Sequence, residues 1–283
     1  MTRRRYGIDE KRIALRAREG RGQGHGKDYK PWLTMRDVAS YGRSSRPLGA
    51  TTGRKHELLS DNERAVFLVL DASKAVVDIR EQFPLPREDT IRIAAEMGVR
   101  HPQDAGVDIV MTTDFLVDIR VGKRVRRQAI TVKPWSRLDD RRTIEKFEIE
   151  RRYWLSQSVP WQITTELELA FDARMVNLWV HDMTTFDHHE APHPGYWLEL
   201  CNSLLAALAE TEPQPLREFL GRLEAEHQSK PGDGLAVIRH LLRVGRLALT
   251  RDGRFEPRGQ TDQLTVRAGV EHHTKQELEG KGA

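Results

Sequence analysis

The stretch of this sequence that most constrains its fold is a pair of β-rich segments, Ile109–Arg120 and Arg126–Val132, joined through Val121-Gly122-Lys123. Both segments alternate in polarity, and so short a link turns them back on each other as an antiparallel hairpin. A period of two puts Asp114, Leu116 and Asp118 on one face of the first strand and Phe115, Val117 and Ile119 on the other. On the second strand Ala129, Thr131 and Lys133 share a face, opposite Ile130 and Val132. The apolar faces are expected to pack on a helix. An acidic residue and a lysine are then left near each other on the remaining face.

The flanking sequence supplies the helices. Ser60-Asp61-Asn62-Glu63 has the form of a capping box, continued as a helix by Ala65-Val66-Phe67-Leu68-Val69-Leu70. Val76–Arg80 reads as a strand, and Arg87–Met97 as a helix stopped by Gly98. Arg141–Gln157 reads as a long helix with apolar positions Ile144, Phe147, Trp154 and Leu155, and Trp161–Leu169 as a further strand. This order describes an α/β sheet with flanking helices. From about Phe171 the pattern turns helical, with candidates at Ala173–Met183, Gly195–Glu210, Pro215–His227 and Leu235–Val244. A small hairpin is expected to follow, Arg246–Thr250 and Arg254–Glu256 about a turn at Asp252-Gly253, which resembles a winged helix. The chain thus divides into an arm (1–57), an α/β domain (58–169), a mostly helical, winged-helix-like domain (170–267) and a polar tail (268–283).

Composition narrows the class. With 38% hydrophobic and 31% charged residues among 283, the chain reads as a soluble globular protein with a very polar surface. No apolar run approaches a membrane span, and no apolar stretch follows Met1-Thr2-Arg3-Arg4-Arg5 as in a secretory signal. Cys201 is the single cysteine, so no internal disulfide can form and a reducing cytoplasm is expected. The net charge is +4, yet residues 1–55 hold 15 Lys/Arg against 5 Asp/Glu. Such an arm suits a polyanion, because neutralising phosphates releases counterions. A short helix over about Asp9–Glu19 is plausible. The rest is expected to be an irregular arm that orders on DNA or a partner, with Arg3, Arg4, Arg5, Lys11 and Arg12 gripping phosphates. Arg243, Arg246, Arg251 and Arg254 add a second basic group near the C-terminal hairpin. His181, His188, His189 and His193 fit no standard zinc spacing and read as loop residues.

The chemistry centres on the hairpin. Glu63, from the preceding helix, can add a second carboxylate to Asp114. Phosphodiester hydrolysis uses such a set: Mg²⁺ takes oxygen ligands, usually one or two carboxylates with water and phosphate, and a lysine beside it can orient water or stabilise developing charge. By itself an Asp followed some twenty residues later by x-Lys is a common pattern. Glu63 alone reads as a capping-box member, Asp114 as a strand end and Lys133 as an edge charge.

The run from Leu58 to Trp154 is more specific. It contains Leu59-Ser60-Asp61-Asn62-Glu63-Arg64, Val77-Asp78-Ile79-Arg80-Glu81-Gln82-Phe83-Pro84-Leu85, Thr113-Asp114-Phe115-Leu116, Val132-Lys133-Pro134 and Glu150-Arg151-Arg152-Tyr153-Trp154. In these motifs the chain resembles TnsA, the endonuclease subunit of heteromeric, Tn7-like transposases, and more loosely it does so through the C-terminal part. The resemblance implies a restriction-endonuclease-like domain followed by a winged-helix-like one. It also implies a bacterial, cytoplasmic enzyme that cuts double-stranded DNA at the transposon ends, on the strand (5′ ends) left uncut by a DDE-type partner, TnsB. An AAA+ regulator, TnsC, would couple cutting to target choice. Carried over residue by residue, Glu63 and Asp114 become metal ligands, joined by the Val132 main-chain carbonyl, and Lys133 the catalytic lysine. The metal would be Mg²⁺, with Mn²⁺ able to substitute. The family usually has Gln two residues before the lysine, where this chain has Thr131, a shorter and poorer ligand. Glu150, on a polar stripe with Thr143, Lys146 and Tyr153, is a further candidate ligand. Two other readings are open at this point: a stand-alone restriction-like or junction-resolving nuclease, and a non-catalytic DNA-binding adaptor.

Overall fold

In the computed structural model the expected hairpin is the centre of a four-stranded mixed sheet. The structure describes residues 8–37, 43–168, 171–250 and 254–267, with backbone only for 171–175. The chain divides into two units, Met1–Leu169 and Ala170–Ala283. Arg3, Arg4, Arg5, Arg251 and the tail 268–283 lie outside the described residues.

In the first unit, β1 (Val76–Pro84), β4 (Thr112–Val121), β5 (Arg124–Val132) and β6 (Trp161–Thr164) lie side by side in that order. The first two pairings are antiparallel, and β5 with β6 is parallel. The two-residue turn between β4 and β5 begins with Gly122 at φ +62°, as the twist-matched hairpin turn requires. β2 (Gln103–Asp104) and β3 (Val107–Asp108) form a separate small ladder. Helix α2 (Asp61–Ala72) covers one side of the sheet, where Val66, Phe67 and Leu68 pack with Ile79, Phe115, Val117, Ile130 and Val132. Helices α3 (Arg87–Glu96) and α4 (Arg141–Ser156) cover the other, where Ile93, Ile149 and Trp154 pack with Leu116 and Ala129. This is the restriction-endonuclease-like architecture, a mixed sheet between helices. Over Phe115–Val117 and Ala129–Val132 both faces of the hairpin are covered, so the expectation of one free polar face does not hold there: Leu116 and Ala129 make the second face apolar.

One helix face and the arm also differ from expectation. Ile144 and Leu155 of α4 are 50% and 65% exposed, whereas Ile149, Glu150, Tyr153 and Trp154 are buried. The buried set has the i, i+1, i+4, i+5 spacing of one helix face, and Glu150 sits within it. The arm is not irregular over its described length. After α1 (Glu10–Arg18), Tyr29 and Trp32 are buried, and four of the arm's arginines pair with carboxylates of the first unit. Arg16 and Arg21 pair with Asp37 at 2.9 and 2.6 Å, and Arg46 with Glu57. Arg54 donates to both oxygens of Glu81 at 2.7 and 2.5 Å, and His56 Nδ1 meets Glu81 Oε2 at 2.7 Å. Glu81 is fully buried on β1. Against the cost of that burial, the bonds from Arg54 and His56 hold its carboxyl down at about 2.

The second unit holds α5 (Phe171–Val180), α6 (Tyr196–Glu210), α7 (Leu216–Glu226), α8 (Asp233–Arg243) and an antiparallel pair, β7 (Leu247–Leu249) with β8 (Leu264–Val266). Leu200, Leu204, Leu216, Ile238 and Leu241 fill its core. A mostly helical unit with a small two-stranded sheet was expected, but the partner of β7 is β8 and not the Arg254–Glu256 run. Residues 254–256 form no strand, although Phe255 packs on the same core, stacked on Trp179 at 4.5 Å. His189 and His193 make ring contacts with Trp197 and Tyr196, consistent with loop packing.

Removing one partner of a buried ion pair strands the other. We expect Arg54→Ala to lower stability by about 3–5 kcal/mol, measured by urea denaturation. A loss within about 0.5 kcal/mol would show that Glu81 finds compensation elsewhere.

Candidate active site

The cap of α2 places the first carboxylate. Ser60 Oγ accepts from the Glu63 N–H at 3.1 Å, and in return Glu63 accepts from the Ser60 hydroxyl and from the Leu59 N–H, both at 2.9 Å. The capping role and a site role therefore coincide, since the cap fixes the rotamer that points Glu63 at the sheet.

The second carboxylate comes from a break in strand alternation. Thr113 bonds Glu150 and Trp154 of α4, and Leu116 packs in the same cluster as Trp154. Residues 113 and 116 would face opposite sides in a regular strand. The reversal falls around Asp114. Opposite it, Gln82 of β1 has φ +48° and is buried. Arg80 and Phe83, three residues apart, likewise lie on one side, with the guanidinium 5.6 Å from the ring centre. The β4–β5 ladder ends at Phe115 and Ile130. Beyond it the Val132 N–H turns to the Asp114 side chain, 2.7 Å from Oδ2.

These irregularities bring the carboxylates together. The Gln82 amide donates to Glu63 Oε2 and to Asp114 Oδ1, at 3.3 Å each, while its oxygen accepts from Thr112 Oγ1 at 3.2 Å. A positive φ at a non-glycine residue costs of order 1–3 kcal/mol and persists where the surroundings over-determine it. Here the arm does so: the Trp32 N–H donates to the Gln82 carbonyl at 3.2 Å and the Tyr29 hydroxyl to the Glu81 carbonyl at 3.0 Å.

Burial and the Asp114 charge push Glu63 up to about 8. Burial also raises Asp114, opposed by the Val132 N–H and by the Lys133 charge. Lys133 follows β5, half-buried, and its charge reaches both Asp114 and Lys146 of α4, whose own pKa is lowered by burial, Arg142 and Lys133. Thr131 and Glu150 meet in an adjoining buried network. Glu150 Oε1 accepts from Thr113 and Thr131 at 2.6 and 2.7 Å, Thr131 Oγ1 accepts from Trp161 Nε1 at 3.0 Å, and burial pushes Glu150 up to about 7. The Thr131 hydroxyl is thus engaged with Glu150, not with the Glu63–Asp114 pair. The sequence drew attention to the Asp78–Leu85 motif but gave Gln82 no role.

Other candidates lie elsewhere. Lys11 and Arg12 are exposed on α1, Arg254 is exposed, and Arg246 is half-buried in the second unit. His25, Asp78 and Asp118 bring ligand atoms within 4.8 Å of one another. Arg80 already bridges the two aspartates at 3.3 and 2.9 Å, which makes this group an ion-pair network.

With the geometry of a paired-carboxylate site in place, known proteins supply the lineage. A family model described as TnsA-like endonuclease N terminal matches residues 73–166, and one described as TnsA endonuclease C terminal matches residues 175–246. The chain belongs to the TnsA-like endonucleases. Asp114 and Lys133 fall within the N-terminal match, and Glu63 precedes it. The chain is also 53% identical over 169 residues to the Transposon Tn7 transposition protein TnsA of Escherichia coli, a match spanning 60% of this chain and 62% of that protein. A TnsA-like endonuclease implies a divalent metal ion. The donors gathered here suit one: they are oxygens, and two buried carboxylates lacking an equal positive charge are held above their usual pKa. No helix is long and apolar enough to cross a membrane among the described residues.

A carboxyl raised on folding holds its proton in the folded chain after the unfolded chain has lost it. In metal-free protein, stability should therefore fall as pH rises from about 4.5 toward about 8. We expect Glu63→Gln to flatten that decline and to be more stable than the parent at pH 8 by about 1–3 kcal/mol. Parallel pH–stability curves for the two proteins would refute the assignment of this strain to Glu63.

Proposed function

We propose that this chain is the Mg²⁺-dependent DNA endonuclease subunit of a heteromeric transposase, acting through Glu63, Asp114 and Lys133. The observation that carries the reading is the sharing of one buried Gln82 amide by two carboxylates from different elements, with a lysine charge acting on one of them. Glu63, Asp114 and the Val132 carbonyl would hold the metal, with Mn²⁺ able to replace Mg²⁺. When bound, such an ion polarises the phosphoryl oxygen and acidifies a coordinated water. The protein does the rest. Gln82 and the Val132 N–H fix both carboxylates before substrate arrives. The Lys133 ammonium stands where negative charge develops on the phosphoryl group. Thr131 serves as the support of Glu150, so its departure from the family glutamine bears on the second network first.

The 53% identity to a Tn7 transposition protein supports duplex DNA at transposon ends as substrate. By the same kinship the chain would cut the 5′ ends left uncut by a DDE-type partner of the TnsB kind, under an AAA+ regulator of the TnsC kind, in a bacterial cytoplasm. The catalytic domain would be the unit ending near Leu169, and the winged-helix-like unit would contact DNA or partner through Arg246, Arg251 and Arg254. Arg3, Arg4, Arg5, Lys11 and Arg12 are proposed to hold phosphates. Because Tyr29, Trp32, Arg54 and His56 of the arm are packed into the first unit, that role is tested by substituting Lys11 and Arg12, not by deleting the arm.

In a reconstituted reaction with the partner transposase, Asp114→Ala and Lys133→Ala should each lower end cleavage at least about a hundredfold. Both should remain folded, by circular dichroism, and Asp114→Ala should also lose the heat of Mg²⁺ binding. Cleavage at the parent rate by either variant would refute the assignment. Robust cutting by the purified chain alone would instead favour a stand-alone nuclease.

A further inference from the structure

The far end of the β4–β5 hairpin plays no part in the site. The β1–β4 ladder begins at Val76 and Ile119, with one further bond from the Arg120 N–H to the Ala75 carbonyl, and the β5–β6 ladder begins at Ala129. Residues 121–127 therefore project as a two-stranded ribbon with no third strand on either side. The whole tip, 120–127, is exposed, including Val121 and Val125 at 50% and 57%.

The tip carries Arg120, Lys123, Arg124, Arg126 and Arg127 and no acidic residue. Arg127 pairs with Asp118 at 3.1 Å. Among the described residues the other four meet no carboxylate. Register sorts them: Val121 pairs with Arg124 and Ile119 with Arg126, so Arg124 and Arg126 share the face that α2 covers further along. Arg120, paired with Val125, lies on the opposite face, and Lys123 is in the turn. Charges on free strand edges also guard against edge-to-edge pairing, but that purpose is served by either sign. Four unpartnered cations of one sign at a narrow tip repel one another and concentrate a positive field.

We propose that this ribbon is a duplex-DNA contact, separate from the cleavage site, that grips backbone phosphates beside the scissile position. The shape fits, since a two-stranded β-ribbon is of a size that a DNA groove admits. The reach fits as well. Asp114 and Val121 are seven residues apart on β4, about 24 Å of strand. A duplex engaged at the site and lying along the strands would meet the ribbon about two-thirds of a helical turn away. The choice of DNA as ligand rests on the endonuclease reading, whereas the ribbon's geometry and charge do not.

The test is binding of the full-length chain to a duplex carrying the element end, without divalent metal, across a salt series. A variant with Arg120→Gln, Lys123→Gln, Arg124→Gln and Arg126→Gln should bind at least tenfold more weakly at low salt. The slope of log affinity against log salt should fall by about 0.9 for each phosphate that is no longer neutralised. The matching Arg→Lys set, with Lys123 kept, should bind like the parent. If the fourfold variant fails to fold, Arg124→Gln with Arg126→Gln should show a smaller change in the same direction. Unchanged affinity and slope in the Gln variants would overturn the proposal, as would failure of the parent chain to retain duplex at low salt. Because no cleavage is measured, these outcomes are independent of the Asp114→Ala and Lys133→Ala results.

Discussion

Two carboxylates buried within reach of one amide group repel each other, and a fold keeps such a pair only if something holds both in place. In this protein the hold is distributed. The α2 cap fixes Glu63, the Val132 N–H fixes Asp114, and Gln82 stands between them. None of these bonds supplies the positive charge that would settle the pair, and Lys133 acts on one member only. The pair is thus held together without a matching positive charge, an arrangement that costs stability and that a bound cation would relieve.

The same logic separates the two acidic networks. Glu150 is satisfied by Thr113 and Thr131, neutral hydroxyls that tolerate a protonated or an ionised acid, so it rests beside the pair without needing a counter-charge of its own. Glu81 is the opposite case. Arg54 and His56 give it a full complement of donors, and it stays ionised in a buried setting. Three buried glutamates within one sheet domain therefore have three different fates, set by their neighbours and not by residue type.

Much of this was readable in the sequence. The caps, the hairpin turn and the apolar spacing of the helices are local features, and Ser60, Gly122 and the Arg141–Ser156 run act through neighbours a few residues away. Glu63, Asp114 and Lys133 stand out in the sequence through their flanking motifs, and the structure brings the two carboxylates onto one amide. What the sequence hid is non-local. Strict alternation put Asp114 with Leu116 on an open face, but the alternation reverses at Asp114, opposite a positive φ at Gln82 in another strand. The helix at 141–156 turns Ile144 and Leu155 to solvent because the sheet prefers the neighbouring stripe. Leu247–Leu249 found its partner beyond the nearest candidate. The arm's charge excess looked like a signature of polyanion binding, yet Arg16, Arg21, Arg46 and Arg54 neutralise carboxylates inside the domain.

The strained turn of Gln82 depends on the arm as much as on its own strand. Trp32 holds its carbonyl, Tyr29 and Arg54 hold the residue before it, and Gly22 lies so close to Pro84 that a β-carbon there would collide with the ring. Until those N-terminal residues dock, nothing compels residue 82 to leave the extended conformation, and a regular strand would send its amide elsewhere. The alignment of the carboxylate pair thus draws on the docking of Gly22, Tyr29, Trp32 and Arg54 against β1. A nascent or clipped chain would then carry Glu63 and Asp114 without the means to align them.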